Sequence, residues 1–185
     1  MLVALEASAG PYKETLAKPD IEAIVKAIQA ALPKVDQVAV KQCQPALDAY
    51  NKDPEGSVDK LGAGAACFRA AGSIGTAIRL WRTVEQYDRD ATRKRDAIRG
   101  LASAYEAAAD FSHAADYAER YLAEYGRDKD ASDLLARAIC IRRQLGDADA
   151  AERDVKRWRG TFKTKIDPDT LCDHLRPIAM PAKAP

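Results

Sequence analysis

Phe68–Trp81 (FRAAGSIGTAIRLW), Tyr105–Ala118 (YEAAADFSHAADYA) and Arg142–Val155 (RRQLGDADAAERDV) are one frame written three times. The alanines Ala77, Ala114 and Ala151 stand 37 residues apart (114 minus 77, 151 minus 114). Each follows a small residue, a polar residue and an apolar residue in the same order. A fixed period of this length marks stacked supersecondary units, because one unit alone cannot bury its apolar side. The frame reads as helix, short turn, helix. It predicts an all-α scaffold of stacked helical hairpins rather than a closed enzyme.

Working outward, apolar periodicity and end signals place helix pairs at about 57–71 with 74–87, 90–108 with 111–125, and 129–145 with 148–161. Asp110 and Asp147 are expected to cap the second helices, since a carboxylate accepts hydrogen bonds from the first free amides. Gly126 and Gly146 suit the left-handed conformation that ends many helices. Ser57 is expected to cap the helix that begins beside it. Upstream, Pro19-Asp20 opens a helix on Ile21, Ile24, Val25, Ile28 and Leu32 that closes near Pro33. From Val35 to Tyr50 the pattern stays helical, but Pro45 removes a backbone donor and predicts two short pieces. Asp53–Gly56 reads as a turn. Downstream, Asp167-Pro168 opens a short helix over Asp169–Leu175 before a frayed tail at Pro181–Pro185. The predicted organisation is a helical N-terminal cap over 1–56, three hairpins over 57–162, and a closing helix and flexible tail over 163–185.

Composition narrows the function classes. Charged residues are 31% of the 185 and nearly cancel to a net +1, so bulk charge does not argue for nucleic acid or a membrane surface. Abundant alanine, few β-branched residues after Val84 and only 6% aromatics favour closely packed helices over sheets. No stretch reads as a transmembrane span. Met1–Leu5 is a brief apolar run without the basic leader of a signal segment, a pattern shared by a chain numbered after its leader is removed.

The frames resemble the tetratricopeptide repeat, whose pattern sets a small residue in the first helix, an aromatic three residues on, a Gly-Asp-aromatic turn, and an early alanine in the second helix. Ala65, Ala102 and Ile139 match the small position; Phe68, Tyr105 and Arg142 match the aromatic one. Arg142 departs from the pattern, the period is 37 rather than roughly 34, and the proline that often ends each repeat is missing. The resemblance covers 58–162. It implies a right-handed stack of antiparallel helical hairpins with helical caps at both ends. Cys67–Trp81 and Glu124–Asp133 look like tetratricopeptide proteins of bacterial envelopes, including outer-membrane assembly lipoproteins and large repeat proteins of gliding bacteria. By that resemblance the chain is an envelope or periplasmic scaffold, or a segment of a longer repeat protein, in a larger envelope complex; a cytoplasmic setting is the alternative.

Mapping the family's groove onto this chain gives Arg69, Arg99, Ser103, Glu106, Arg143 and Gln144 as the partner-binding face. The arginines Arg69, Arg99 and Arg143 suit forked hydrogen bonds to an acidic or C-terminal peptide; the competing reading pairs these cations with Asp96 and Asp133. Lys156, Arg157, Arg159, Lys163 and Lys165 make a basic end that complements a helix dipole, with a phosphate-rich partner as the rival reading. Trp81 and Trp158 read as packing between hairpins. Cys43, Cys67, Cys140 and Cys172 contain no Cys-x-x-Cys pair. They are either small buried hydrophobes or two bridges, Cys43 with Cys67 and Cys140 with Cys172, that pin the caps.

No catalytic residue, metal or cofactor is expected. His113 and His174 are the only histidines and neither sits in a nucleophile or base pattern; Cys172 and His174, two apart, diverge on a helix. The glycines at 62–64 and 72–75 lack the preceding strand and the lysine of a phosphate loop. The expected partner is a protein or peptide, not nucleic acid. End-to-end self-association and a peptide or small-molecule sensor are the alternatives.

Overall fold

The computed structural model describes residues 35–162 and Cys172. The predicted helix near 20–33, the closing helix after Pro168 and the tail lie outside the described residues. What is described is all-α: α1 (Gln37–Lys52), α2 (Val58–Ala70), α3 (Ile74–Tyr87), α4 (Ala91–Ala107), α5 (Phe111–Tyr125), α6 (Ala131–Gln144) and α7 (Ala148–Phe162). Each helix packs on the next in chain order, and α2 also packs on α4.

The hairpin turns carry the 37-residue period into backbone geometry. Gly72 (φ 81°), Ala109 (φ 59°) and Gly146 (φ 78°) all take the left-handed conformation. In each turn the following amide reaches back to the carbonyl five residues earlier: Ser73 to Phe68 at 2.8 Å, Asp110 to Tyr105 at 2.9 Å, Asp147 to Arg142 at 2.9 Å. This double closure satisfies carbonyls that a helix end leaves free. The side chains then start the next helix. Asp110 accepts from the His113 amide at 3.3 Å and Asp147 from the Ala150 amide at 3.2 Å.

Three local expectations are corrected. α1 runs through Pro45 unbroken: both Pro45 and Lys41, whose carbonyl loses its donor, are exposed, so water can satisfy it. Ser57 makes no cap; its hydroxyl donates to the Asp53 carbonyl at 2.6 Å, tying the helix to the Asp53–Gly56 turn instead. Gly126 is right-handed at φ −60°, because the link to α6 continues as tight turns, Asp128 amide to Tyr125 carbonyl at 2.8 Å.

The core repeats in register. Leu61, Ile98 and Leu135; Ala65, Ala102 and Ile139; Ala77, Ala114 and Ala151; and Val84, Tyr121 and Trp158 are four sets spaced by 37, and every member is buried. Trp81 is buried too, and it lies where α4 must come close. A Cβ on Gly100 would fall 2.4 Å from the Trp81 ring. Gly64 plays the same part toward α1, with Ala46 Cβ 2.2 Å from where its own Cβ would be.

Between the first two hairpins, α3 ends on Asp88, a buried carboxylate that accepts from Arg93 Nε at 2.6 Å, Arg93 Nη2 at 3.0 Å and the Asp90 amide at 2.8 Å. One side chain thereby fixes the end of α3 and the start of α4.

Two substitutions at turns and contacts follow with opposite signs. Ala109→Gly removes a left-handed alanine and is expected to raise unfolding free energy by about 0.5–1 kcal/mol, net of the extra freedom of the unfolded glycine. Gly100→Ala gains helix propensity but overpacks against Trp81, and is expected to cost about 1–2 kcal/mol. Urea denaturation of both variants checks the pair. Asp88→Asn should cost about 2 kcal/mol, since the hydrogen bonds lost are to a charged group. The Arg93 guanidinium holds the Asp88 carboxyl below its usual range, with the Asp90 amide adding to this and burial opposing it. That contribution is therefore whole above about pH 4 and is lost as pH falls through the depressed value. The gap between the urea midpoints of wild type and variant should be full at pH 7 and narrow as pH is lowered below about 4.

Candidate interaction face

Hairpin geometry sets which side of each first helix meets water. Positions 69, 106 and 143 share one register place, and Arg69 and Arg143 are exposed there while Glu106 is half-buried. Arg99 is exposed, Ser103 half-buried and Gln144 exposed. The six sequence-predicted groove residues thus all reach the surface in part. Arg99, Glu106 and Ser103 already have partners. Arg99 pairs with Asp130, and with Asp96 at 3.7 Å. Glu106 accepts from Arg137 Nη1 at 2.9 and 3.2 Å. The Ser103 hydroxyl turns back to the Gly100 carbonyl of its own helix at 3.1 Å. Arg69 makes no ion pair among the described residues, and Arg143 interacts with its surroundings.

Arg99–Asp130 and Glu106–Arg137 span the same 31-residue separation, so each links α4 to the next hairpin. The hydrogen bond to Asp130 is the main cause raising the Arg99 guanidinium further above its ordinary value. Arg95 adds a third link, to Asp128 at 3.3 Å. On the second helices, Glu85 of α3 binds Arg120 of α5 and accepts from the Tyr117 hydroxyl at 3.0 Å. Asp130, Arg137, Glu85 and Arg120 were not predicted. Asp133, expected to pair with an arginine, does not do so among the described residues; Asp130 is nearer the joint and takes that role.

The departure at Arg142 is resolved by charge. Its side chain, 11% exposed, occupies the place of Phe68 and Tyr105 and donates Nε to Glu119 at 2.7 Å, with Asp116 also in contact and Asp147 at 3.9 Å. The cysteines form two bridges, Cys43–Cys67 and Cys140–Cys172, with Cα separations of 5.7 and 5.5 Å. The first ties α1 to α2. The second ties Cys172 to α6.

His113 lies exposed on α5, its Nδ1 2.9 Å from Asp110 and its ring stacked on Tyr105 at 5.0 Å. Among the described residues, no three His, Cys, Asp or Glu side chains are placed to hold a metal ion. Two open depressions mark the surface. One of about 650 Å³ is lined by Arg95, Tyr125, Arg127 and Asp128; another of about 310 Å³ borders Cys43–Cys67 with Pro45, Lys60 and Ala63. Both are open to solvent. Lys156, Arg157 and Arg159 are exposed on α7 without ion pairs among the described residues, while Lys163, Lys165 and His174 lie outside them. No described helix is long and apolar enough to cross a membrane.

No family model matches the chain, and neither a curated protein nor a solved structure shows significant similarity to it.

The surface links are expected to be weak individually, because Glu106 and Arg137 are 37% and 47% exposed. A double-mutant cycle on this pair should return a coupling below about 1 kcal/mol that fades in 1 M salt. A coupling several times larger, or one indifferent to salt, would contradict that reading.

Proposed function

We propose that this chain is a non-enzymatic protein-interaction scaffold of the tetratricopeptide-like kind, which holds a partner protein or peptide across the exposed side of α2, α4 and α6. The observation that carries the reading is the line Arg69, Glu106, Arg143: one place in each of three successive hairpins, in contact with water, alternating in charge. An extended partner carrying an acid would meet Arg69 directly and would reach Glu106 by displacing Arg137. Repeat scaffolds bind through such first-helix surfaces, where many shallow contacts replace one deep pocket. The open depressions fit that mode better than they fit capture of a small substrate.

The setting proposed is the bacterial cell envelope. Two disulfides within one domain are at home in an oxidising compartment such as the periplasm and rare in a reducing cytosol. Protein recovered from the periplasm should accordingly resist alkylation until reduced, and then gain the mass of four labels; four thiols reactive without reduction would argue for the cytoplasm.

The binding face is tested by affinity capture with the wild type and a triple variant, Arg69→Glu, Glu106→Arg and Arg143→Glu. Arg69 and Arg143 are exposed and the pair Glu106 makes with Arg137 is a weak surface link, so these changes should leave the helical circular dichroism unaltered and reduce recovery of the bound partner by tenfold or more. Unchanged recovery of every partner would remove the face while leaving the fold intact. Concentration-dependent growth in light scattering, lost in the same variant, would instead favour a subunit that stacks end to end.

A further inference from the structure

The third hairpin breaks the apolar register twice, on two helices that pack together. Arg142 stands where the earlier hairpins have Phe68 and Tyr105; Asp154 stands where they have Leu80 and Tyr117. Asp154 is only 4% exposed, and its Oδ2 is buried with no hydrogen-bond partner. Its carboxyl, on α7, faces that of Glu119 on α5, which already accepts from Arg142 Nε at 2.7 Å. Arg142 also serves Asp116 and Asp147. The charged groups facing Asp154 are therefore Glu119 from α5, Arg142 from α6, and Arg157 from its own helix, the last exposed to water. Four carboxyls, Asp116, Glu119, Asp147 and Asp154, surround one largely buried guanidinium. A buried carboxyl without its own cation is held most cheaply with a proton on it.

We propose that Asp154 and Glu119 form a proton-linked latch: sharing one proton they tie α7 to α5, and losing it they loosen α7 through like-charge repulsion. Burial is the largest influence on Asp154, followed by the Glu119 charge and hydrogen bond; Arg157 and Arg142 oppose them, and the carboxyl is pushed up to about 6. The sign is fixed by the unfolded reference near 4. The closed seam binds a proton that the open one releases, so stability rises as pH falls from above 6 toward 4 and is lost as pH rises through 6. With one proton and about two pH units between the values, the opening constant changes by up to about 100-fold.

Hydrogen exchange of the peptide covering 148–162, corrected for the chemical exchange rate, reads this directly. Between pH 8 and pH 5 the opening constant of wild-type α7 should fall by about 10-fold, while peptides from α2 change little. Asp154→Asn should flatten the profile, and Asp154→Leu, which restores the residue found at Leu80, should flatten it and slow exchange at both pH values. His113→Gln controls for the histidine on α5 and should keep the wild-type profile. An unchanged slope in Asp154→Asn overturns the latch. So does a carboxyl carbon titration of wild-type Asp154 with a midpoint below 4.5, a measurement that stands even if the substituted chains fail to fold. Neither result depends on the proposed binding face, which lies on the first helices.

Discussion

The approach of neighbouring helices is set by residues with almost no side chain. Ala77, Ala114 and Ala151 are buried at one place in the second helices, and Gly64 and Gly100 let α1 and the Trp81 ring of α3 press onto backbone. Where a Cβ or a methyl is the whole spacer, one methylene more has nowhere to go. Everything larger in the core is arranged around that limit. Trp81 reaches full burial because position 100 is glycine, and the ion pairs between hairpins form because the first helices stand close enough for arginine to bridge them. Small residues thus determine the distances, and large ones supply the buried area.

The same repeat shows what happens when one unit abandons an apolar place. Phe68 and Tyr105 fill theirs with rings, whereas Arg142 lays its stem along the core and gathers carboxylates at its tip. A guanidinium in such a place needs acids from several elements to be satisfied, and they come from α5 and the following turn. Removing Arg142 would leave those carboxylates mutually repelling, so the cost of losing it exceeds the worth of keeping it. Both joints between hairpins combine packing with charge: Glu85 with Arg120 and Asp88 with Arg93 at the first, Arg99 with Asp130 and Arg142 with Glu119 at the second. Asp154 is a surplus acid beside the second, where Arg142 already serves three other carboxylates.

Much of the hairpin order is legible in the sequence because its signals are local. Asp110 and Asp147 cap from one residue before a helix, and Gly146 turns left-handed for want of a Cβ; both effects act over a few bonds. The misread positions are those decided by something farther away. Pro45 breaks nothing because the carbonyl it frees faces water, and Gly126 stays right-handed because the joint to α6 asks for it. Ala109 takes a conformation that disfavours alanine because burial on both sides of the turn fixes the two helices. For the candidate face, periodicity places Arg69, Arg99, Glu106 and Arg143 near the surface. It cannot reveal that Arg99 finds Asp130 or that Glu106 finds Arg137, since a 31-residue pairing exists only after two hairpins have docked.

The Cys43–Cys67 disulfide acts at an end of the described helices, where a helix has few neighbours. α1 rests mainly on α2, and Val38 at its start is 69% exposed, so this helix has a partner on one side only among the described elements. Its bridge to Cys67 closes a separation of 24 residues and the bridge from Cys140 closes 32. Loops of that size correspond to about 3–4 kcal/mol each when the unfolded chain is constrained. That is comparable with the burial of one or two large side chains, which is what a helix with a single neighbour lacks. Units with neighbours on both sides hold themselves by repeated burial; units with one neighbour need a covalent substitute. The placement of Cys43 in α1, outside the repeated frame and bonded to a first helix inside it, follows from that asymmetry.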